Sequence, residues 1–96
     1  MKKIPFLIAI IVVVLSCAEK KPAIDSKKLY KQNCVICHGV DGKLGLNNSK
    51  DLTASKLSLD ERISIIKNGK NTMTPFSGIL NPDQIKAVAA YTFQLK

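Results

Sequence analysis

Tryptophan is absent from this 96-residue chain, histidine occurs once, cysteine three times and methionine twice, and aromatic residues make up only 5%. So short a chain can bury little apolar surface and usually needs a staple. Its core is expected to contain something other than side chains. No segment alternates apolar and polar residues with period two, which removes a sheet and leaves an all-α fold. There is no second histidine and no visible general base or substrate pocket, so hydrolytic chemistry has no obvious carrier. Gly39, Gly42 and Gly45 have the spacing of a phosphate loop, but no buried strand precedes them and no Gly-Lys-Ser/Thr follows, which argues against nucleotide binding. Basic residues outnumber acidic ones 15 to 7, for a net charge of +8. They form no run interleaved with aromatics, so nucleic acid is not an expected partner. The longest apolar run, Ile4 to Leu15, would span only about 18 Å as a helix, short of a hydrocarbon core of about 30 Å.

That run has a different use. Lys2 and Lys3 before it and the small residue Ser16 after it read as an export signal over residues 1–16. Val14-Leu15-Ser16-Cys17 resembles the lipobox of bacterial lipoproteins, in which the cysteine receives lipid and becomes the mature N-terminus. The usual leucine three residues before the cysteine stands here two before it, at Leu15. The plainer alternative makes Cys17 only the last residue of a leader. Residues 17–24, with Glu19, Lys20, Lys21 and Pro22 and no apolar period, read as a tether between the membrane and a domain over 25–96. Removing residues 1–16 leaves 13 basic against 7 acidic residues, a net +6. The lysines among them, from Lys27, Lys28 and Lys31 to Lys67, Lys70 and Lys86, are scattered. They form either a solvated surface or a field that steers an acidic redox partner.

The other two cysteines and the only histidine fall within Cys34-Val35-Ile36-Cys37-His38. C-x-x-C-H is the pattern of covalent c-type haem attachment: two thiols add across the haem vinyl groups and the next imidazole coordinates the iron. One lipid thioether and two haem thioethers would use every cysteine in the chain. If the iron takes a thioether as its sixth ligand, Met73 is the sole choice, because the other methionine is the initiator. Beside Pro75 and Phe76 it could equally be a core methionine, with Phe76 against the haem face or the last helix.

Three helices flank these residues. Asp25 or Ser26 caps one that runs to about Asn33, with Leu29 and Tyr30 on its inner face and Cys34 where it hands over to a turn. Ser58 and Glu61 form a capping box for a second, with Leu59, Ile63 and Ile66 on one face and Gly69 as the stop. Asn81, Pro82, Asp83 and Gln84 start a third, whose stripe of Ile85, Val88, Ala89 and Thr92, flanked by Tyr91 and Leu95, should pack on the first helix. Ala87, Ala89 and Ala90 permit a close approach there. The glycines and Asn47, Asn48 and Ser49 make an irregular loop after His38, in which a carbonyl between Gly42 and Asn48 is expected to accept the imidazole N–H.

Taken together, Cys34 to His38, the Gly39-x-x-Gly42 loop, Asn68-Gly69-Lys70 leading to Met73-Thr74-Pro75-Phe76, and Asn81-Pro82-Asp83-Gln84-Ile85 resemble the small class I c-type cytochromes of bacteria, over roughly residues 25 to 96. The resemblance implies three to four helices wrapped round one haem c, with the first and last helices crossing, and one-electron transfer between redox partners as the activity. Relatives commonly carry a proline after the glycine loop, whose carbonyl binds the histidine, and another directly after the methionine. This chain has no proline between Gly39 and Thr74, and Thr74 follows Met73. Two other readings are distinguishable: a haem enzyme or gas or redox sensor with an open sixth position, and a haem-free C-x-x-C thiol oxidoreductase. The last lacks the strand pattern of a thioredoxin-like fold, and a zinc site lacks a fourth ligand.

Overall fold

The computed structural model describes residues 23–96. The expected export signal over 1–16, the greater part of the 17–24 tether and Cys17 itself lie outside the described residues. The order of elements is α1 (Ser26–Asn33), α2 (Val35–His38), a 3-10 turn at Leu46–Asn48, α3 (Leu59–Asn68), α4 (Pro82–Tyr91) and a 3-10 turn at Thr92–Gln94. Among the described residues there is no strand, only an isolated bridge between Lys70 and Met73. No helix among them is long and apolar enough to cross a membrane.

Each long helix begins where its sequence provides a cap. The Asp25 side chain accepts the Lys28 N–H at 3.1 Å and starts α1. Ser58 and Glu61 exchange side-chain and backbone bonds at the start of α3, and Asn81 and Gln84 do the same for α4, with Pro82 in its first turn. Such caps satisfy N–H groups that would otherwise have no partner, and each is worth about 1 kcal/mol. Cys34 closes α1 through its N–H to the Tyr30 carbonyl at 2.8 Å and also heads α2, so the expected turn is a single helical turn carrying the rest of the motif.

Helix α4 packs against both α1 and α3. Its expected stripe is the buried one: Ile85 is 3% exposed, Val88 and Ala89 are 0% and Thr92 is 6%. Ile85, Val88 and Ala89 form the core with Ile66 of α3 and Leu80, and Leu29, Leu59, Ile63, Met73 and Phe76 pack against it. Of the two surfaces open to Phe76, it takes the core beside α4. Against α1 the contact is aromatic: the rings of Tyr30 and Tyr91 meet at a tilt of 44° with centroids 5.3 Å apart. Only six hydrophobic residues are buried among those described. The missing interior is a cavity between α1, α3, α4 and the two long loops.

Candidate cofactor site

The cavity has a volume of about 650 Å³, inside the usual range of ligand sites. Cys34, His38 and Met73 all line it, together with Tyr30, Leu52, Ile65, Ile66 and Val88. The chain therefore brings together three of its four expected cofactor residues from two regions far apart in sequence. Cys37 is half-buried on α2, bonded through its N–H to the Cys34 carbonyl at 3.3 Å, and is not among the lining residues.

His38 is held by a backbone group. Its Nδ1 lies 3.1 Å from the carbonyl oxygen of Lys50. A carbonyl can only accept, so Nδ1 carries the proton and Nε2 keeps its lone pair for a metal. Burial holds the imidazole below its ordinary pKa, opposed by the Lys50 carbonyl. The neutral ring is the form that coordinates. The acceptor lies beyond the expected Gly42–Asn48 stretch, and the loop geometry explains why. Leu44 N–H bonds back to the His38 carbonyl at 2.9 Å, and Asn47 and Asn48 then reverse the chain at φ of 54° and 64°. Only after that reversal does the backbone reach the ring.

Met73 is placed by the end of α3. Gly69 terminates the helix at φ 77° and ψ 167°, a conformation open in practice to glycine alone. A Cβ there would sit 2.6 Å from the Met73 carbonyl oxygen and 2.9 Å from the Pro75 nitrogen. The following loop thus lies directly on the glycine. Met73 N–H closes a turn onto the Lys70 carbonyl at 2.9 Å, and Phe76 N–H reaches the Ile66 carbonyl at 2.8 Å, satisfying a helix end. Thr72 Oγ1 donates to the Asn47 carbonyl at 3.1 Å, tying the methionine loop to the histidine loop.

The α1 side is fixed by Tyr30, 1% exposed, whose hydroxyl donates to the Gly39 carbonyl at 2.7 Å. Burial pushes its phenol up to about 12. Burial likewise pushes the Cys34 thiol up to about 11. A catalytic C-x-x-C needs the opposite, a thiolate stabilised near neutral pH, so the thiol oxidoreductase reading has no support here. One further lining residue is not apparent from the sequence: Arg62, 7% exposed, lies on the inner face of α3 between Leu59 and Ile66. Its position in that stripe, three residues after Leu59 and four before Ile66, is the signal that could have found it.

The donor set fits a haem. A neutral imidazole nitrogen and a thioether sulfur line a mainly apolar cavity, and a thiol lines it beside the imidazole. A small helical protein with that site is of the cytochrome c class. The comparisons with known proteins agree. Residues 22–91 match the family model described as "Cytochrome C oxidase, cbb3-type, subunit III". Cytochrome c6 of Nostoc sp. (strain PCC 7120) is 34% identical over 102 residues, covering 95% of this chain and 91% of that protein. Cytochrome c6 of Synechococcus sp. (strain ATCC 27167 / PCC 6312) is 33% identical over 102 residues, covering 95% and 90%. The solved structure of the KustC0563 c-type cytochrome superposes with a TM-score of 0.67 at 34% identity, covering 76% of this chain and 99% of that one. The chain belongs to the small c-type cytochromes.

Proposed function

We propose that Cys34 and Cys37 bind one haem c through thioether bonds, that His38 Nε2 and Met73 Sδ are its axial ligands, and that the chain shuttles single electrons between redox partners. The observation that carries the assignment is the convergence of Cys34, His38 and Met73 on one cavity. As a c-type cytochrome the protein carries covalent haem and is an electron carrier, not an enzyme. When bound, the haem supplies the Fe(II)/Fe(III) couple, and a methionine–histidine ligand pair raises its potential.

The chain's own residues do the rest. The Lys50 carbonyl fixes the ring of His38 and the tautomer it presents. The turn after Gly69 and the Thr72 bond to Asn47 hold Met73 in place. Tyr30, Leu52, Ile65, Ile66 and Val88 keep water from the cavity wall. Beside the motif, Ile36, Val40 and Leu44 are 74%, 68% and 59% exposed. They give a redox partner an apolar surface next to the attachment residues, with Lys43 available to draw an acidic one.

We assign residues 1–16 to export, Cys17 to a lipid anchor on the periplasmic side of a bacterial membrane, and residues 17–24 to the tether of the 25–96 domain. The basis is the basic, apolar and small-residue pattern around Ser16-Cys17. Attachment is tested by haem staining on a denaturing gel after expression with c-type haem maturation. The wild type is expected to retain haem, and Cys34→Ser with Cys37→Ser to lose it. Haem that dissociates from the wild type on denaturation would refute the assignment. The anchor is tested by intact mass: a Cys17 N-terminus carrying lipid supports it, and an unmodified one refutes it.

A further inference from the structure

The carbonyl that holds His38 belongs to a loop with no ring-locked residue to stiffen it, since no proline occurs between Gly39 and Thr74. The bond has little slack. At 3.1 Å from His38 Nδ1 to the Lys50 oxygen it lies near the long end of the N–H···O range, so a displacement of a few tenths of an ångström would break it. Lys50 is exposed, and packing of its own side chain does not hold the carbonyl.

What holds it lies on either side. Before Lys50, the N–H and the hydroxyl of Ser49 both donate to the Leu46 carbonyl, at 3.0 Å and 2.6 Å. After it, Asp51 Oδ1 accepts the Thr53 N–H at 2.9 Å and the Thr53 hydroxyl at 2.6 Å. The Thr53 hydroxyl holds the Asp51 carboxyl below its ordinary range, which keeps the acceptor ionised at neutral pH. The Ala54 N–H closes the turn onto the Asp51 carbonyl at 3.2 Å, and the Leu52 N–H donates to the Gly42 carbonyl at 2.9 Å. Of these anchors only Asp51 is a charged acceptor, and bonds to charged groups are roughly twice as strong as neutral ones. The Lys50 oxygen sits on the peptide unit that joins Lys50 to Asp51. Its distance from the ring therefore depends on where Asp51 is held.

We infer that Asp51 is the positioning residue for His38: its side-chain turn onto Thr53 fixes the Lys50–Asp51 peptide and, through the Lys50 carbonyl, the imidazole. This rests on the haem reading above. It adds that the aim of the iron's nitrogen ligand depends on a carboxylate that does not bond the ring itself. The turn does by hydrogen bonding what a proline would do by covalent geometry. Asp41 is a matched control: it is exposed, its Oδ1 accepts the Lys43 N–H at 2.9 Å, and it is not attached to the acceptor peptide.

The test is solvent exchange of the His38 ring N–H, followed by proton NMR of the haem-loaded, reduced protein, for the wild type, Asp51→Ala, Asp51→Asn and Asp41→Ala. Asparagine keeps an Oδ1 acceptor and loses the charge. Exchange reports local opening, so Asp51→Ala is expected to exchange the ring proton about fivefold or more faster, with Asp51→Asn recovering most of the change and Asp41→Ala within about twofold of wild type. A smaller rise in Asp51→Ala would overturn the inference. Asp51→Asn as fast as Asp51→Ala would assign the effect to charge and overturn the turn as its cause. The Val88 and Ala89 amides of α4 report opening of the whole fold, and a rise there equal to that at the ring would make the effect a general loss of stability and overturn the positioning role. If Asp51→Ala does not accumulate, Thr53→Val decides. It removes the 2.6 Å bond and keeps the backbone one, so the ring proton should exchange about threefold or more faster, and a smaller change overturns the inference. A wild type that binds no haem overturns the haem reading and this inference with it, whereas haem-loaded variants with wild-type exchange overturn the inference alone.

Discussion

Replacing Gly69 with alanine should unseat Met73 without touching it. Gly69 sits at φ 77° and ψ 167°, where a residue with a Cβ costs about 1–3 kcal/mol. The added methyl would also lie 2.6 Å from the Met73 carbonyl oxygen and 2.9 Å from the Pro75 nitrogen, whereas real contacts essentially never fall below 3.0 Å. Both neighbours are backbone or ring atoms, so the collision cannot be relieved by a rotamer change. The loop that carries the methionine must move. Adding conformation and displacement gives a loss of roughly 2–4 kcal/mol, a large part of the 5–15 kcal/mol typical of a native protein. The assay is guanidinium denaturation of the haem-loaded ferric protein, read beside its absorbance band for methionine ligation. Gly69→Ala should lower the midpoint and weaken or abolish the band. Gly78→Ala is the control, because a Cβ there meets nothing within 4 Å, and it should stay within about 0.5 kcal/mol of wild type. Wild-type stability with an unchanged band in Gly69→Ala would refute the claim that this glycine seats the ligand loop.

Three further outcomes follow from the scaffold. Val88→Ala removes buried methyls at a position 0% exposed that both anchors α4 and lines the cavity, and should cost roughly 1.5–3 kcal/mol in chemical denaturation. Asn81→Ala breaks the capping box at the start of α4 and should cost about 0.5–2 kcal/mol in the same assay, with the haem spectrum unchanged. The backbone and hydroxyl of Ser58 hold the Glu61 carboxyl below its ordinary range. A carboxylate with a depressed folded pKa adds stability that is present above the unfolded pKa and is lost as pH falls through the folded one. Glu61→Gln keeps the box but cannot titrate, so it should forfeit that contribution at neutral pH, leaving the protein slightly less stable there, and flatten the acid limb of a stability–pH curve. An acid limb as steep as that of wild type would contradict this.

Much of the fold is legible in the sequence because its signals are local. Asp25, the Ser58–Glu61 pair and the Asn81–Gln84 pair mark helix starts through bonds that span three residues. The buried stripe Ile85, Val88, Ala89 and Thr92 follows from helical periodicity. The acceptor for His38 is not local. Every residue has a carbonyl, and which one meets the ring depends on the left-handed turns at Asn47 and Asn48, so Lys50 takes a role expected of Gly42–Asn48. Arg62 escapes for another reason. Patterns of burial are read from apolar residues, and a guanidinium on the inner face of α3 resembles solvent-facing charge until its bonds to Leu57, Ser55 and Thr92 are seen. Phe76 had two plausible surfaces, and the bond from its N–H to the Ile66 carbonyl turns it to the core.

The central claim is an axis from His38 to Met73 through a covalently held haem. The most direct measurement is the visible spectrum of the matured protein before and after dithionite, for the wild type and Met73→Ala, with carbon monoxide added to the reduced forms. The ligand pair predicts a low-spin ferric wild type with a methionine band and little carbon monoxide binding. Met73→Ala should lose the band, turn high-spin and bind carbon monoxide rapidly. A high-spin wild type that binds carbon monoxide as fast as Met73→Ala would contradict the axis and indicate an open sixth position.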